Sequence, residues 1–339
     1  MSYKHHYSSA MKRIAINGFG RIGKVLTRLV QNHNDIELVA INDLADTKTL
    51  AHLLKYDSVH RHFDGTVDFT NDAIIINGKK VLVFNEKSPA NLPWESLNID
   101  LLIECTGIFL TRELASQHLA AGAKKVILSA PAKSDDIKTI VLGINEHILT
   151  NEDTIISNAS CTTNAVSPMI KILNDTFGIE NAQIATVHSY TNDQKLHDAP
   201  HKDLRRARAG ALSIIPTTTG AAKAVVKIFP ELKGKMEGYA VRVPVPDGSL
   251  IDVCAVLEKS ASVEQINEAF LNASQKELKH ILAYEKDELV SSDIIGNSHS
   301  CIFDPNLTSI TGKMVRVVGW YDNEAGYSNR LVDLITKMP

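Results

Sequence analysis

The chain lacks any run of 18 or more apolar residues, and its few cysteines form no C-x-x-C pair. The first absence excludes a membrane-spanning helix, and the second argues against a zinc site or a disulfide framework. The four cysteines lie far apart, at positions 105, 161, 254 and 301. This spacing favours a reducing compartment, so we expect a cytoplasmic protein with no bound metal.

A strong net charge is also absent. The 36 basic and 39 acidic residues leave a formal net charge of −3 at pH 7, which predicts no general attraction to nucleic acid or to an anionic membrane. The first ten residues, MSYKHHYSSA, lack the apolar centre of a signal peptide. We interpret them as a frayed, solvated tail rather than as a metal site built from its two histidines.

The chain does have the length and composition of a two-domain globular protein, with 339 residues that are 44% hydrophobic and 22% charged. In the first half, short apolar runs alternate with helical patterns, which predicts a mostly parallel sheet. A hairpin over 73–84 is predicted to turn at Asn77-Gly78. The other predicted elements are strands 13–16, 38–41, 101–105, 125–128 and 139–142 and helices 22–32 and 47–54.

The second half has longer strands and a long polar connection. Predicted strands 183–189, 237–243, 250–258 and 315–321 indicate a larger, partly antiparallel sheet with helices on one side. Residues 190–211 carry many charges and few apolar side chains, and a connection of this length is typically functional. Residues 324–337 are predicted to form a terminal helix.

A glycine-rich turn follows the first strand and opens the first helix, with the sequence Gly18-Phe19-Gly20-Arg21-Ile22-Gly23. This is the G-x-G-x-x-G pattern, in which the glycines permit a tight turn, close approach of a pyrophosphate and close packing of helix on strand. Asp43 follows the second strand, where a carboxylate would bind adenosine ribose hydroxyls and repel a 2′-phosphate. A glycine turn without a ligand is the alternative, but the context favours a dinucleotide site that prefers NAD to NADP.

A single cysteine lies among small polar residues in the stretch 157–164, between a short β-like run and a helical pattern. At a helix N-terminus the thiolate of Cys161 would be stabilised by free N–H groups and the helix dipole. An ordinary cysteine at a strand end is the alternative. The best candidate for its base is His188, at the end of a strand and the start of the polar loop, although a histidine there can also be purely structural.

Several groups in the second half could bind an anion. Residues 202–208 form a basic cluster, Arg242 lies inside an apolar strand, and Thr217-Thr218-Thr219-Gly220 precedes a helix whose free N–H groups could hold phosphate. Solvated surface charge is the alternative for the basic cluster. It is a less satisfactory explanation for an arginine between Val241 and Val243.

Taken together, these residues resemble the phosphorylating glyceraldehyde-3-phosphate dehydrogenases, over residues 12–338. The matching segments are distinctive and occur in the order of that family: 16–23 (INGFGRIG), 157–164 (SNASCTTN), 188–193 (HSYTND), 217–222 (TTTGAA), 242–244 (RVP) and 320–324 (WYDNE).

The resemblance implies a role for each matching residue. Cys161 would be the nucleophile and His188 the general base. The cofactor NAD would be held by the glycine turn together with Asp43, Thr106, Ser129 and Asn323, the last of these on the nicotinamide amide. The phosphate of the substrate and inorganic phosphate would contact Ser160, Thr162, Thr191, Arg206, Thr219, Gly220 and Arg242.

The resemblance also implies the reaction and the architecture. D-glyceraldehyde 3-phosphate would be oxidised and phosphorylated to 1,3-bisphosphoglycerate through a thiohemiacetal and a thioester on the cysteine. The fold would be α/β, with a Rossmann-type NAD-binding domain over 1–160, joined by a C-terminal helix over 324–339. An α+β catalytic domain with a mostly antiparallel sheet would occupy 161–323. The family implies a homotetramer in which the polar loop packs near a neighbour's cofactor.

Three positions depart from the family pattern. Ala325 stands where tryptophan is usual, residues 86–89 read Glu-Lys-Ser-Pro, and Ala199 precedes Pro200 where a bulky leucine is frequent. Two other functions remain as alternatives: an erythrose-4-phosphate dehydrogenase, and a non-catalytic relative that binds a partner or nucleic acid.

Overall fold

A computed structural model describes residues 11–338. The predicted tail over 1–10 lies outside the described residues. Among the helices within 11–338, none combines the length and the apolar character needed to cross a membrane.

The described chain forms the following elements. The strands are β1 (Lys12–Asn17), β2 (Ile36–Asn42), β3 (Tyr56–Asp57), β4 (Arg61–His62), β5 (Val67–Phe69), β6 (Ala73–Ile76), β7 (Lys79–Phe84), β8 (Leu101–Glu104), β9 (Lys125–Leu128), β10 (Lys138–Thr139), β11 (Ile155–Ser157), β12 (Ile179–Ser189), β13 (Ile215–Thr218), β14 (Met236–Val243), β15 (Ser249–Leu257), β16 (Leu282–Tyr284), β17 (Cys301–Thr311) and β18 (Met314–Tyr321). The helices are α1 (Arg21–Val30), α2 (Thr47–Lys55), α3 (Arg112–Ala120), α4 (Cys161–Phe177), α5 (Ala221–Ile228), α6 (Val263–Gln275) and α7 (Ala325–Lys337), with short 3-10 turns at Pro89–Asn91, Glu146–Ile148, Pro230–Leu232 and Ser291–Asp293.

The first sheet has nine strands in the order β10-β11-β9-β8-β1-β2-β7-β6-β5. Every neighbouring pair from β10 to β7 is parallel, and the last two pairs are antiparallel. Both faces of β1 are buried, since Ile14 and Ile16 join one apolar cluster and Ala15 joins another. Burial of both faces explains why these strands read as continuous apolar runs. The predicted parallel sheet is confirmed.

The second sheet has seven strands in the order β13-β14-β12-β15-β18-β17-β16. Four of its six pairings are antiparallel, and β12–β14 and β16–β17 are parallel. Helices α4, α5 and α6 pack on this sheet. The predicted fold class is confirmed: a doubly wound α/β half and an α+β half with a mostly antiparallel sheet.

The hairpin turn at Asn77-Gly78 is confirmed, and both residues have positive φ, +50° and +80°, as a tight two-residue hairpin turn requires. The strand predicted over 139–142 is wrong beyond Thr139. There the Asn145 side chain accepts the Val141 N–H at 2.7 Å, which turns the chain out of the sheet. Strands β13 and β17 were not predicted, since Pro216 and Pro305 interrupt their patterns.

The terminal helix α7 packs mainly against α1 and also contacts α4. Its buried residues Leu331, Leu334 and Ile335 belong to the same apolar cluster as Ile14 and Leu26 of the first sheet and its helix. The end of the described chain therefore lies against the beginning of the parallel sheet, beside the glycine turn.

Candidate active site

A cleft of about 1540 Å³ runs along the carboxyl ends of the parallel strands and reaches into the second sheet. This edge of a parallel sheet is where α/β folds bind ligands. Its lining includes most of the residues predicted for a cofactor and a reacting thiol: Gly18, Gly20, Arg21, Ile22, Asp43, Thr106, Ser129, Ser160, Cys161, His188, Thr191, Arg242 and Asn323.

The glycine turn has the geometry of a phosphate cradle. Gly18 has φ +94°, and a Cβ there would lie 2.8 Å from Thr106 N. A Cβ on Gly23 would lie 2.4 Å from the Gly18 carbonyl oxygen, so the helix and the turn touch as the motif requires. Gly20 caps α1, and a Cβ there would meet nothing within 4 Å, so its backbone faces open cleft. An anion at this helix N-terminus fits the space and the N–H groups.

Asp43 is held in the orientation that a ribose-binding carboxylate needs. Its Oδ2 accepts from Phe19 N at 2.7 Å and its Oδ1 accepts from Ala45 N at 3.0 Å. Phe19 itself is buried, so its contribution to the turn comes through its backbone. The carboxylate lines the cleft next to Leu44 and Glu86.

Cys161 is the first residue of α4, and the strand before it ends in a sharp turn. Ala159 has φ +56°, a left-handed conformation that is uncommon for alanine, and this turn redirects the chain from β11 into the helix. Ser160 caps the helix, with its Oγ accepting from Thr163 N at 3.1 Å. The local sequence of small polar residues thus places the thiol at a capped helix N-terminus, at the edge of the cleft.

His188 lies on β12 with its Nε2 at 3.5 Å from Cys161 Sγ. The Ser189 carbonyl oxygen lies 2.8 Å from Nδ1 and 2.9 Å from the Arg242 Nη1 donor, and these two nitrogens are themselves 2.5 Å apart. With the proton on Nδ1 donated to the Ser189 carbonyl, the lone pair of Nε2 faces the thiol, which is the tautomer that a base for Cys161 requires.

The imidazole of His188 is buried and Cys161 is half-buried, and removal from water is the largest influence on the pKa of each. Burial, followed by the charge of Arg242, lowers the pKa of His188 to about 3. Burial raises the pKa of Cys161, against the opposing effects of Arg242 and of hydrogen bonds at Thr162. The free protein therefore holds a neutral thiol beside a neutral imidazole. The thiolate expected from the helix N-terminus alone is not the resting state, because desolvation outweighs it.

Arg242 brings a positive charge to this pair. It lies on β14 directly beside His188 in the sheet. Within residues 11–338 no carboxylate lies within 4.0 Å of its guanidinium nitrogens, and its buried Nε has no hydrogen-bond partner. An arginine that is mostly buried without a counter-ion is costly, so this position calls for an anion beside the thiol.

The remaining predicted phosphate residues divide into two groups. Ser160 and Thr191 line the cleft, whereas Thr162, Arg206, Thr219 and Gly220 are not part of its lining. Thr162 is 5% exposed, and its hydroxyl lies 3.0 Å from the Tyr321 hydroxyl. Arg206 donates to Asp193 Oδ2 at 2.6 Å and to Thr217 Oγ1 at 2.9 Å. Thr219 accepts from Ala221 N at 3.2 Å, and Gly220 caps α5.

Asn323 lies between β18 and α7 and presents an amide to the cleft. Its Oδ1 accepts from the hydroxyls of Ser189 and Ser249, each at 2.7 Å. Within the described chain Nδ2 makes no hydrogen bond, which leaves it available to a ligand's carbonyl oxygen. Ser189 and Ser249 were missed at the level of sequence, and their only signal was that each ends or begins a strand next to the cleft.

The first turn of α7 is hydrogen-bonded to the backbone turn that precedes Cys161. The Tyr327 hydroxyl donates to the Ala159 carbonyl oxygen at 3.1 Å, which ties the helix to the turn before Cys161. Ala325, the departure from the family pattern, is buried, and its N–H donates to Asp322 Oδ1 at 2.7 Å. The helix start is thus formed by backbone contacts that do not require a tryptophan at this position.

A histidine and two carboxyl side chains form a cluster beside the cleft. His60, Asp247 and Glu324 bring three potential ligand atoms within 4.8 Å of one another. Both oxygens of Glu324 already accept from Arg21, which also donates to Asp57 at 2.6 Å. Burial and the charges of Asp322 and Glu324 raise the pKa of Asp247 to about 9, so this carboxyl is protonated at neutral pH. Arg21 therefore forms ion pairs with Glu324 and Asp57, and the protonated Asp247 adds no charge to them.

Two family models match the chain. Residues 12–112 match "Glyceraldehyde 3-phosphate dehydrogenase, NAD binding domain", and residues 160–323 match "Glyceraldehyde 3-phosphate dehydrogenase, C-terminal domain". The first match confirms that the predicted dinucleotide cleft belongs to an NAD-binding domain.

Curated relatives match over almost the whole length. The glyceraldehyde-3-phosphate dehydrogenase of Thermotoga maritima is 56% identical over 328 residues, which cover 96% of this chain and 98% of the relative. The enzyme of the same name from Geobacillus stearothermophilus is 54% identical over 324 residues, covering 95% and 96%. Glyceraldehyde-3-phosphate dehydrogenase 2 of Streptomyces avermitilis is 53% identical over 325 residues, covering 95% and 97%. With the thiol–imidazole pair, the glycine turn and these matches, the chain belongs to the glyceraldehyde-3-phosphate dehydrogenase family.

Proposed function

We propose that this chain is an NAD-dependent, phosphorylating glyceraldehyde-3-phosphate dehydrogenase. Its reaction converts D-glyceraldehyde 3-phosphate and inorganic phosphate to 1,3-bisphosphoglycerate. The observation that carries the proposal is the Cys161–His188 pair, 3.5 Å apart, beside an Arg242 guanidinium that has no carboxylate partner among the described residues. A nucleophile, a base and an anion site at one end of a dinucleotide cleft fit a phosphorylated aldehyde.

The first step uses the neutral pair. Cys161 Sγ attacks the aldehyde carbon, its proton passes by way of His188 Nε2, and the carbonyl oxygen becomes the hydroxyl of a thiohemiacetal. Because Nδ1 is hydrogen-bonded to the Ser189 carbonyl, the imidazole presents the same nitrogen throughout. Arg242 and Thr191 hold the substrate's own phosphate, which fixes the aldehyde relative to Sγ.

The second step is the oxidation. NAD, when bound, supplies a hydride acceptor. His188 Nε2 takes the hydroxyl proton as the thiohemiacetal carbon loses its hydride, which leaves a thioester on Cys161. Asn323 Nδ2 holds the nicotinamide carboxamide, and its orientation is set by the serine hydroxyls that bind Oδ1.

The third step releases the product. An oxygen of inorganic phosphate attacks the thioester carbon, the carbon–sulfur bond breaks, and the sulfur leaves as a thiolate that regains a proton from His188. A cysteine suits both ends of the reaction, because it attacks readily and departs readily. Ser160 lines the cleft beside the thiol and is available to phosphate as the structure stands. The other four predicted residues, Thr162, Arg206, Thr219 and Gly220, lie outside the lining. We propose that these four contact phosphate only after a rearrangement that accompanies ligand binding.

The cofactor preference rests on Asp43. Its carboxylate is held by two backbone N–H groups and cannot turn away from a 2′-phosphate. We expect steady-state rates with NAD to exceed those with NADP, and Asp43→Ser to narrow that ratio at least tenfold. A wild-type preference for NADP would contradict this part of the proposal.

The quaternary structure and domain division are part of the same proposal. The loop over 190–211 and the segment that follows it expose four large apolar side chains: Leu196, Leu204, Leu212 and Ile214, each at least 70% exposed. Exposed apolar groups of this size favour burial against other copies of the chain, and we propose a cytoplasmic homotetramer. We also propose that the NAD-binding domain extends to residue 160 and is joined by the terminal helix α7, and that 161–323 form the catalytic domain.

The proposal is tested by the rate of NADH formation from NAD and glyceraldehyde 3-phosphate, with and without inorganic phosphate. Sustained turnover should require phosphate and should be abolished by Cys161→Ser. Cys254→Ser provides the matched control, because Cys254 lies in β15 outside the cleft lining and should leave the rate unchanged.

Three results would contradict the proposal. Normal turnover by the Cys161→Ser protein would exclude the thioester route, and inertness of the wild type with all three reactants present would favour a non-catalytic relative. Higher turnover on erythrose 4-phosphate than on glyceraldehyde 3-phosphate, at equal concentration, would identify the chain as an erythrose-4-phosphate dehydrogenase instead.

A further inference from the structure

A buried carboxylate lies under the floor of the dinucleotide cleft, away from the reacting thiol. Glu104 ends β8, is 0% exposed, and has no lysine or arginine partner within residues 11–338. Its Oε1 accepts from the backbone N–H of Thr106 at 2.7 Å and from the Thr106 hydroxyl. Its Oε2 accepts from Asn17 Nδ2 at 2.6 Å and lies 3.1 Å from His118 Nε2. Four donors thus surround one charge.

His118 is the donor that does not belong to the cleft. It lies on α3, is fully buried, and has Trp94 on its other side, where the indole Nε1–H donates to Nδ1 at 3.2 Å. An indole can only donate, so Nδ1 must carry a lone pair. The single ring proton is therefore on Nε2 and points at Glu104. Trp94 thus fixes the tautomer in which His118 donates to the carboxylate.

The chain of contacts continues from Glu104 into the cleft floor. Asn17 Oδ1 accepts from Asn42 Nδ2 at 2.7 Å, and Asn42 bonds both the N–H and the carbonyl of Glu86, each at 2.9 Å. These residues lie at the ends of β8, β1 and β2 and just after β7, which are consecutive strands of the sheet. Residues 17, 42, 86 and 106 all line the cleft, whereas Trp94, Glu104 and His118 do not.

We propose that Trp94, His118 and Glu104 are positioning residues for NAD. Together they hold Asn17 and Thr106 in the orientation that the cofactor needs, and through Asn42 they hold the backbone of Glu86. The inference rests on the proposed function, since it adds residues behind the NAD site of the same reaction. A buried carboxylate with no cation is tolerated only while its donors are in place, so loss of one donor must rearrange the floor.

The contacts of these three residues define which substrate they affect. Glu104 and its donors lie on the cofactor side of the cleft, and Cys161, His188 and Arg242 make no hydrogen bond to any of them. Their loss should weaken NAD binding and leave the aldehyde site as it is. A purely structural network would lower stability without separating the two ligands.

The test measures the Kd of NAD by calorimetry in the absence of aldehyde, together with kcat and both KM values. His118→Phe removes both ring nitrogens, Trp94→Phe removes the indole N–H together with part of a buried ring, and His118→Gln restores one donor and one acceptor. His147→Phe makes the same change at an exposed histidine of the first half and serves as the control.

We expect His118→Phe to raise the Kd of NAD about tenfold, which corresponds to the loss of one buried hydrogen bond to the carboxylate, and we expect Trp94→Phe to raise it in the same direction because it releases the tautomer of His118. His118→Gln should recover most of it. The KM of glyceraldehyde 3-phosphate and kcat at saturating NAD should stay within about twofold. If His118→Phe does not fold, Trp94→Phe and His118→Gln decide the question alone, because the first keeps the His118 ring and the second keeps a donor and an acceptor at its position.

An unchanged Kd of NAD in the folded variants, with only a lower melting temperature, would overturn the positioning role. An equal rise in both KM values would overturn it as well, because the effect would not be confined to the cofactor. Failure of the unaltered protein to bind NAD would instead contradict the proposed function itself, so the two failures are distinguishable.

Discussion

At the scale of single residues, the position of Arg242 beside the thiol–imidazole pair gives it two separate effects. Its charge lowers the pKa values of both Cys161 and His188, and its free donors call for an anion. The same guanidinium therefore opposes the effect of burial on the thiol, adds to it on the imidazole, and supports the proposed phosphorylated aldehyde.

Replacing Arg242 with a neutral side chain tests both effects, and a matched variant elsewhere in the sheet controls for a loss of protein stability. Arg242→Gln should lower kcat/KM for glyceraldehyde 3-phosphate by about 10- to 100-fold, the loss of charge-assisted hydrogen bonds. It should also raise the pKa of Cys161, measured by the pH dependence of alkylation with iodoacetamide. Arg316→Gln is the control, because Arg316 donates to Asp252 at 2.8 Å on the same sheet but outside the cleft lining. Equal kinetics for the two variants would refute the role of Arg242.

The low pKa of His188 also makes a prediction for stability. Between pH 6.5 and about 3 the unfolded chain binds a proton that folded His188 does not. The contribution of this group to the free energy of unfolding is complete above pH 6.5 and is lost as the pH falls towards 3. Urea titrations over this range give the free energy of unfolding at each pH. His188→Gln should make its increase with pH shallower by up to about 1.4 kcal/mol per pH unit. His147→Gln should not, and identical slopes in both variants would contradict the lowered pKa.

Single residues differ in how far the sequence alone could identify them. Cys161 and His188 were recognisable because each ends or begins an element beside a polar segment. Their 3.5 Å approach was not, because it depends on how α4 packs on the second sheet. His118 looked like an ordinary helix residue, since nothing local reveals that Trp94 and Glu104 flank its two nitrogens.

At the scale of elements, the turn between β1 and α1 shows how one motif combines two physical demands. Gly18 is required by its backbone, which has positive φ and touches Thr106. Gly20 has φ −71° and open space around it, so the fold itself would accept a side chain there. Only a bound ligand would require that the side chain be absent.

Alanine at the two glycines should therefore give opposite results. Gly18→Ala should lower the free energy of unfolding by about 1–3 kcal/mol, because the conformation and the contact with Thr106 are both strained. Gly20→Ala should leave unfolding nearly unchanged and raise the Kd of NAD, because its methyl group enters the space of the pyrophosphate. Denaturant titration and calorimetry measure the two quantities, and a Gly20→Ala protein with normal NAD affinity would place the phosphates elsewhere.

Elements with a clear hydrophobic pattern could be predicted from the sequence. Elements that depend on one side-chain hydrogen bond or on a proline could not. The parallel strands were predicted because burial of both faces makes their apolar runs continuous. The strand over 139–142 failed because the Asn145 side chain competes for a backbone N–H that a strand partner would take. Strand β17 was missed because Pro305 lies within it.

At the scale of the whole molecule, side chains far apart in sequence connect the two ends of the cleft. Arg21, in the glycine turn, binds both oxygens of Glu324, the neighbour of Asn323. Tyr327 then joins the same helix to the turn before Cys161. The start of the terminal helix thus connects the glycine turn, Asn323 and the turn before Cys161. The resemblance implies that this helix joins the first domain, but no local pattern in the sequence reveals these contacts.

The central claim is that Cys161 carries the acyl group of the substrate as a thioester. The most direct measurement is the intact mass of the protein after mixing with NAD and glyceraldehyde 3-phosphate without inorganic phosphate. We expect a single equivalent of NADH per chain and a mass increase of one 3-phosphoglyceroyl group, located on Cys161 by peptide mapping and released when phosphate is added. NADH formation without an adduct, or an adduct that persists in Cys161→Ser, would contradict the account.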